Sequence, residues 1–199
     1  MEVRTLTVCG FAVFAVGIAH GGGNTIYDED VSGDLSDDID APTQLGTLAL
    51  GVSGVSLNVE NSASPDGDFD VFTFSIAEGR AWSGLFVEEY IPGDAVSFLA
   101  IDDADTFPVN PNFGDPTAFL AGALFGTADV GDDLFPLLEI PQAGGVGFDG
   151  PLGPGDYSVF VQQTGPLTEI ALGFQVVPTP PASALLGFGA LCVSRRRRA

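Results

Sequence analysis

The sequence contains no lysine, and its six arginines are Arg4, Arg80 and the terminal run 195–198. Between Asp28 and Val177 there are 26 acidic residues against Arg80 alone, so this stretch carries a net charge of −25. A surface this acidic repels nucleic acid and anionic membranes, and it attracts cations. Nucleic-acid binding is therefore excluded as a function.

Cysteine and histidine are also nearly absent. Cys9 and Cys192 lie in the hydrophobic terminal segments, and His20 is the only histidine. The region between the termini therefore has no disulfide, no thiolate ligand for a metal and no imidazole base for a hydrolytic triad. No nucleophile elbow or phosphate-binding glycine loop is present. Paired carboxylates can cleave glycosides, but 26 acidic residues make chance pairs unavoidable. We expect no catalytic activity.

The amino terminus has the three parts of a secretory signal peptide. A short start with Arg4 precedes an apolar run of 15 residues, Thr5–Ala19, with small Gly17 and Ala19 before a cleavage point. A run of this length is short for a membrane span. We predict a signal peptide over residues 1–19, cleaved by signal peptidase between Ala19 and His20.

The carboxy terminus also has three ordered parts. A proline-rich start, residues 178–181, precedes 13 small or apolar residues, 182–194, and then the four arginines. A helix of 13 residues spans about 20 Å, whereas a bilayer core is about 30 Å thick. This tail, residues 178–199, resembles the PEP-CTERM sorting signal of Gram-negative bacteria, with Thr179 at the centre of the usual Pro-Glu-Pro. The matching residues are Pro178, Thr179, Pro180, Arg195, Arg196, Arg197 and Arg198.

The resemblance implies that an exosortase-like membrane enzyme recognises and removes the tail, and that the protein passes to the exterior of the cell envelope. The alternative is a membrane anchor that is never cleaved.

The region between the two ends is rich in short apolar runs separated by Gly, Pro and Asp turns. Residues 20–44 are predicted to be an acidic extended lead-in, and residues 45–177 an all-β domain. The pattern favours an antiparallel two-sheet sandwich, jelly-roll-like. Predicted strands are 45–50 and 55–59 as a hairpin-like pair, then 69–76, 85–91, 96–101, 157–162 and 170–177. Residues 118–125 fit either a strand or a short helix, and residues 126–134 a loop.

In the predicted strand Phe69–Ile76, alternation places Phe72, Phe74 and Ile76 on one face. The segments 66–79 and 150–161 together resemble the bacterial pre-peptidase C-terminal domain, in which an acidic turn leads into an FTF-type strand and a Gly-rich turn leads into a Tyr strand. That resemblance implies a small β-sandwich of a secreted protein. Some members of that family bind calcium or carbohydrate.

Aspartate outnumbers glutamate by 19 to 8, and it is clustered. Asp66, Asp68 and Asp70 alternate at the entrance to the strand 69–76, so their side chains project together. Closely spaced carboxylates suit a hard cation with six to eight oxygen ligands, and we predict a calcium site at these three residues. The competing explanation is that aspartate ends turns well and keeps an extracellular surface soluble.

Trp82 and Tyr90 lie an even number of residues apart in one predicted strand, so they share a face. They could form a platform for sugar, although a single Trp is more often part of the core. The sequence thus predicts a non-catalytic envelope or extracellular-matrix protein. The alternative is a carbohydrate-binding module that contacts extracellular polysaccharide.

Overall fold

The computed structural model describes residues 23–60, 67–92, 96–111 and 114–179. The predicted signal peptide, its cleavage point at Ala19 and His20, and the tail from Pro180 onward, with its four arginines, lie outside the described residues. Asp66 lies outside them as well.

The described chain is built mainly of strands. The helical pieces are short: α1 (Glu29–Ser32), α2 (Phe135–Leu138) and a 3₁₀ turn at Thr127–Asp129. No helix in the described part of the chain has the length and apolar character needed to cross a membrane. The strands are β1 (Asn24–Asp28), β2 (Thr43–Thr47), β3 (Gly51–Val59), β4 (Phe69–Ile76), β5 (Arg80–Ile91), β6 (Val96–Asp102), β7 (Ala121–Gly126), β8 (Gly155–Gln162) and β9 (Thr168–Pro178).

The strands form two sheets that pack face to face, which confirms an all-β sandwich. The four-stranded sheet has the order β1-β3-β9-β5, and the five-stranded sheet has the order β2-β4-β8-β6-β7. The expectation of wholly antiparallel sheets is wrong at two strands, because β1 pairs with β3 in parallel and β2 pairs with β4 in parallel. The reason is that the chain changes sheet after each of β1, β2 and β3. When the chain crosses to the other sheet and then returns, the returning strand runs parallel to the strand it left. Parallel neighbours need a crossover connection of this kind.

The predicted hairpin is wrong, because the chain crosses from one sheet to the other between its two strands. The predicted strands 45–50 and 55–59 fall in β2 and β3, which belong to different sheets. The glycine-bounded stretch from Gly51 is not a turn but the beginning of β3, which pairs along its whole length with β9. The segment 118–125, which fitted a helix or a strand, supplies β7.

The core lies between the sheets. Phe72, Phe74 and Ile76 of β4 all face it, as the alternation predicted. The ring of Phe74 contacts the four-stranded sheet edge-on, with centroid distances of 5.1 Å to Trp82 and 5.2 Å to Phe174. Edge-to-face pairs of this kind add to the stabilisation from burial alone. Aromatic packing therefore joins the two sheets.

A second apolar cluster covers the outer face of the five-stranded sheet. Phe107 and Phe119, from the connection between β6 and β7, pack against Val71 and Phe160. The rings of Phe107 and Phe160 lie 5.6 Å apart. The central strands β4, β6 and β8 of the five-stranded sheet are thus buried on both faces over most of their length.

Residues 24–44, expected to be an extended lead-in, contribute β1, α1 and the beginning of β2. The side chain of Asp28 accepts a hydrogen bond from Asp30 N, which caps α1, and Gly33 ends it at φ 94°. Residues 29–42, hereafter the bridging segment, connect β1 at the edge of one sheet to β2 at the edge of the other.

Replacing Phe74 by Ala should lower the free energy of unfolding by about 3–5 kcal/mol, because the truncation leaves a cavity at the junction of the sheets. Leu124→Ala is the matched control, since Leu124 lies on β7 and is 59% exposed. It should change stability by no more than about 0.5 kcal/mol. Urea unfolding measures both, and equal losses in the two variants would contradict the packing described above.

Candidate metal centre

Five carboxylates meet where the bridging segment lies against the beginning of β4. They form two overlapping groups that share Asp34. In each group, one oxygen per residue lies within 4.8 Å of the others. The inner group is Glu29, Asp34 and Asp70, and the outer group is Asp34, Asp37 and Asp68. Three of the five residues come from the bridging segment and two from the entrance to β4.

Asp70 is the most unusual of the five. It lies on β4, two residues before Phe72, and so it has the register of a core residue. Its side chain is fully buried, with 0% exposure. Neither carboxylate oxygen meets a donor group in the described structure, and Asp70 can share a hydrogen bond with the neighbouring Glu29 only when one of the two carboxyls is protonated. An ionised group buried in this way is very costly unless a counter-charge is present or a proton neutralises it.

Glu29 faces Asp70 from the bridging segment, and its position is fixed by the backbone. It is the first residue of α1 and is buried. One of its oxygens accepts a hydrogen bond of 2.8 Å from Leu35 N, and the other accepts one of 2.5 Å from Asn58 N of β3. Glu29 therefore connects the bridging segment to the four-stranded sheet, whereas Asp70 belongs to the five-stranded sheet.

The outer carboxylates are less buried. Asp68 has one oxygen, Oδ1, that is buried without a partner in the described structure. Asp37 Oδ1 accepts a hydrogen bond of 3.3 Å from Phe69 N, which attaches the bridging segment to β4. Asp34 is exposed, and it is the carboxylate that both groups share.

The pKa values of Glu29, Asp68 and Asp70 are all raised above their ordinary values. Burial, together with the charges of Glu29 and Asp68, raises the pKa of Asp70 well above its ordinary value. Burial, with Asp34 and Asp37 as the nearest charges, raises the pKa of Asp68 to about 7. Burial also raises the pKa of Glu29, although its two backbone hydrogen bonds oppose the shift. The site therefore favours any proton or cation that neutralises it.

Among the described residues, no side-chain cation lies at this site. Arg80 is the only Lys or Arg between residues 23 and 179, and its Nη1 donates a 3.0 Å hydrogen bond to Leu48 O. It follows the far end of β4, whereas Asp70 lies at the beginning. At about 3.3 Å per residue, the length of β4 separates the two by roughly 20 Å. Salt screens most of an interaction at that distance.

The arrangement is suited to a hard divalent cation. Calcium lies about 2.4 Å from its oxygen ligands, so ligand oxygens around one ion are about 4.8 Å apart at most. The inner group meets that condition and supplies three carboxylates from two parts of the chain. Asp68 and Asp37 belong only to the outer group, so a single ion in the inner group does not contact all five residues as they stand.

Of the three residues of the predicted calcium site, Asp70 belongs to the inner group, Asp68 belongs to the outer group, and Asp66 lies outside the described residues. Sequence reasoning missed Glu29 altogether, and it had no basis for joining Asp34 and Asp37 to β4. One signal was available, because Asp70 continues the alternation of Phe72 and Phe74. An acidic residue at a core position of a strand indicates a partner to be found.

Other aspartates accept backbone hydrogen bonds in loops and at a strand end. Asp129 Oδ2 accepts from Gly126 N, and Asp133 Oδ1 accepts from Phe135 N, which are local contacts of the kind that aspartate commonly makes in turns. Asp102 Oδ1 accepts from Leu120 N, and Asp133 Oδ1 also accepts from Leu85 N, so these two carboxylates join parts of the chain that are distant in sequence.

Trp82 and Tyr90 share a face, as predicted, but that face is the core. Their exposures are 0% and 5%, so they do not form an exposed platform for sugar. Two bulges in β5, at Trp82/Gly84 and Val87/Glu89, preserve the common orientation. Trp82 Nε1 donates to Gly84 O at 2.8 Å, and the hydroxyls of Tyr90 and Ser97 lie 3.0 Å apart.

The first residues of the predicted tail belong to the sandwich. Pro178 is the last residue of β9 and lies opposite Arg80, and Thr179 N donates to Gly79 O at 2.9 Å. The chain therefore remains attached to the sheet as far as Thr179.

The fold and the cluster define an all-β sandwich with a buried acidic site at one edge. No protein-family model matches the chain, and none of the curated proteins matches it.

The stability of the metal-free protein should fall as pH rises. Asp68 and Asp70 have folded pKa values raised above those of the unfolded chain. The folded state therefore binds more protons, and its stability is greatest below about pH 4 and declines as pH rises through about 7. Between pH 5 and pH 8 in chelator, Tm should fall by at least about 2–4 °C, the shift that 1 kcal/mol produces at this size.

Asp70→Asn should reduce this decline and raise Tm at pH 8, because it removes the buried charge. Asp149→Asn removes one exposed charge and should leave the profile as in the wild type. Thermal melts across the pH range measure all three proteins. A wild-type Tm that rises from pH 5 to pH 8 in chelator would contradict the buried-charge description.

Proposed function

We propose that this chain is a non-catalytic exported surface protein whose β-sandwich binds a divalent cation, calcium above all. Glu29, Asp34 and Asp70 are the inner ligands. The cation is structural: it neutralises the carboxylates that link the bridging segment to β4. The sandwich is expected to have the jelly-roll-like character of small secreted modules.

The observation that supports this proposal most strongly is Asp70. Two buried oxygens with no donor, in a region (residues 23–179) whose only Lys or Arg follows the far end of the same strand, call for a proton or for a positive charge from outside that region. The converging oxygens of Glu29 and Asp34 point to the same place. A cation bound there converts a repulsive cluster into an attractive one.

Calcium fits better than magnesium on chemical grounds. Calcium accepts six to eight oxygen ligands in flexible geometry, including bidentate carboxylates, whereas magnesium demands a near-ideal octahedron and retains its waters. Carboxylates from α1, a loop and a strand favour the more tolerant ion. Extracellular modules typically bind calcium at about 0.1–1 mM, the range expected for an exported protein.

The export half of the proposal rests on the two ends of the chain. The segment 1–19 supplies the signal peptide, and the tail from Pro178 supplies the PEP-CTERM-like signal that an exosortase-like enzyme would process. An exported domain of this size can fold without disulfides, and an acidic domain stabilised by a metal suits the exterior of a cell envelope, where calcium is available.

Calcium should raise Tm beyond the effect of sodium chloride at matched ionic strength. A ligand present at 100 times its Kd adds about 2.7 kcal/mol to stability, which is several degrees for a chain of this size. The rise should be larger at pH 8 than at pH 5, because binding displaces protons from Asp68 and Asp70.

The control for this prediction compares two single-charge variants. Asp70→Asn should lose most of the calcium-specific rise, and Asp149→Asn, at an exposed residue, should keep it. A calcium effect no greater than that of matched salt would show that the cluster only senses ionic strength. A response of Asp70→Asn as full as that of the wild type would lead to the same conclusion.

Replacing Arg195–Arg198 by neutral residues should leave the protein mislocalised while its domain keeps its Tm, because the arginine run follows the sandwich in sequence. Mass spectrometry of the protein from the envelope fraction determines at which residues the mature chain begins and ends. A mature protein that begins at His20 and lacks the tail supports export and processing. Normal surface delivery of the variant would contradict a sorting role, and an intact tail in the mature wild type would identify an anchor.

A further inference from the structure

We propose that the bound cation is a clasp: it holds the bridging segment, residues 29–42, against β4, and without it this segment detaches while the rest of the sandwich stays folded. The inference rests on the proposed cation site and adds its regulation. Calcium would then control the closure of one edge of the sandwich.

The bridging segment is attached to the sandwich by hydrogen bonds and by apolar packing. Asn58 Nδ2 donates to Asp30, Phe107 N donates to Ile39 O, and Ile39 packs against the outer apolar cluster. The amide of Val71 donates to Ser36 O at 2.8 Å, and the amide of Phe69 donates to Asp37. Asn58 N donates to Glu29, and Leu35 is buried in the core. The regular ladders lie outside the segment, in β1 and β2. Two of these contacts thus depend on the carboxylates Glu29 and Asp37, which also belong to the cluster.

Charge opposes this attachment when no cation is bound. Glu29, Asp34 and Asp37 on the segment face Asp68 and Asp70 at the entrance to β4. When these carboxyl groups are ionised, every close pair across this contact has the same sign, and like charges at such distances destabilise a contact. The repulsion acts across the junction between the segment and β4 and not within the rest of the core, so the segment is the part that opens first.

Opening has a defined structural consequence. The segment joins β1 to β2, the edge strands beside β3 and β4. Its release separates the two edges that it bridges and loosens the parallel pairing on either side, which exposes the edges of β3 and β4. Exposed strand edges are sites of association with other chains. The clasp would thus keep that edge closed wherever calcium is available.

Hydrogen exchange of the purified protein, in calcium and in chelator, tests the clasp. The informative amides are those of Asn58, Phe69, Val71 and Phe107, which donate to the bridging segment. At about ten times Kd, calcium should slow their exchange about tenfold, because it binds only the closed form. Amides of β8 and β9, within the sheets, should exchange at nearly equal rates in both conditions.

Two variants sharpen the test. Asp70→Asn removes the central repulsion, so the four amides should be protected even in chelator. Asp34→Asn, at an exposed position, should weaken the calcium effect without disturbing the core. Asp149→Asn is the control and should behave as the wild type.

The outcomes separate the two proposals. Slowing confined to the bridging segment and its partners supports the clasp. Uniform slowing over all strands, with a calcium-dependent rise in Tm, would overturn the clasp but leave the cation site in place. If neither exchange nor Tm responds to calcium beyond matched salt, both proposals fail.

Discussion

The described structure depends on how it neutralises negative charge buried at one edge. Asp70 occupies a core position of β4, and Glu29 is held opposite it by backbone hydrogen bonds. Arg80, the only basic side chain between residues 23 and 179, lies at the other end of the strand. Since burial of an uncompensated carboxylate is costly, neutralisation must come from protons or from a bound cation. Fold, pH response and proposed metal dependence follow from this one constraint.

The rest of the sandwich is held together without charge. Phe74, Trp82 and Phe174 pack edge-on or at a tilt across the two sheets. The outer aromatic cluster around Phe160 covers the second face of the five-stranded sheet. Apolar burial does not respond to pH or to metal, whereas the acidic edge is expected to respond to pH and, under the proposal above, to a bound cation. The stability of the apolar core is thus independent of pH and metal, and only the acidic edge is expected to respond to them.

Local patterns in the sequence predicted much of this fold, and non-local contacts account for what they missed. The strand Phe69–Ile76 and its inward face were correct, because alternation is a local property. The hairpin at Gly51 was wrong, since the sequence does not reveal that the chain changes sheet there. Asp68 and Asp70 were found from their spacing. Glu29 was not, because its place beside Asp70 depends on α1 and on the amide of Asn58.

The scarcity of basic residues has a consequence for resistance to proteolysis. Proteases of the trypsin type cut after Lys or Arg in stretches that can adopt an extended, accessible form. From residue 23 to residue 179 the chain offers them one bond, between Arg80 and Ala81. That bond lies at the beginning of β5, where Ala81 is buried and pairs with Val177 of β9. The folded domain therefore has one cleavage site for such a protease, and pairing within a sheet protects that site.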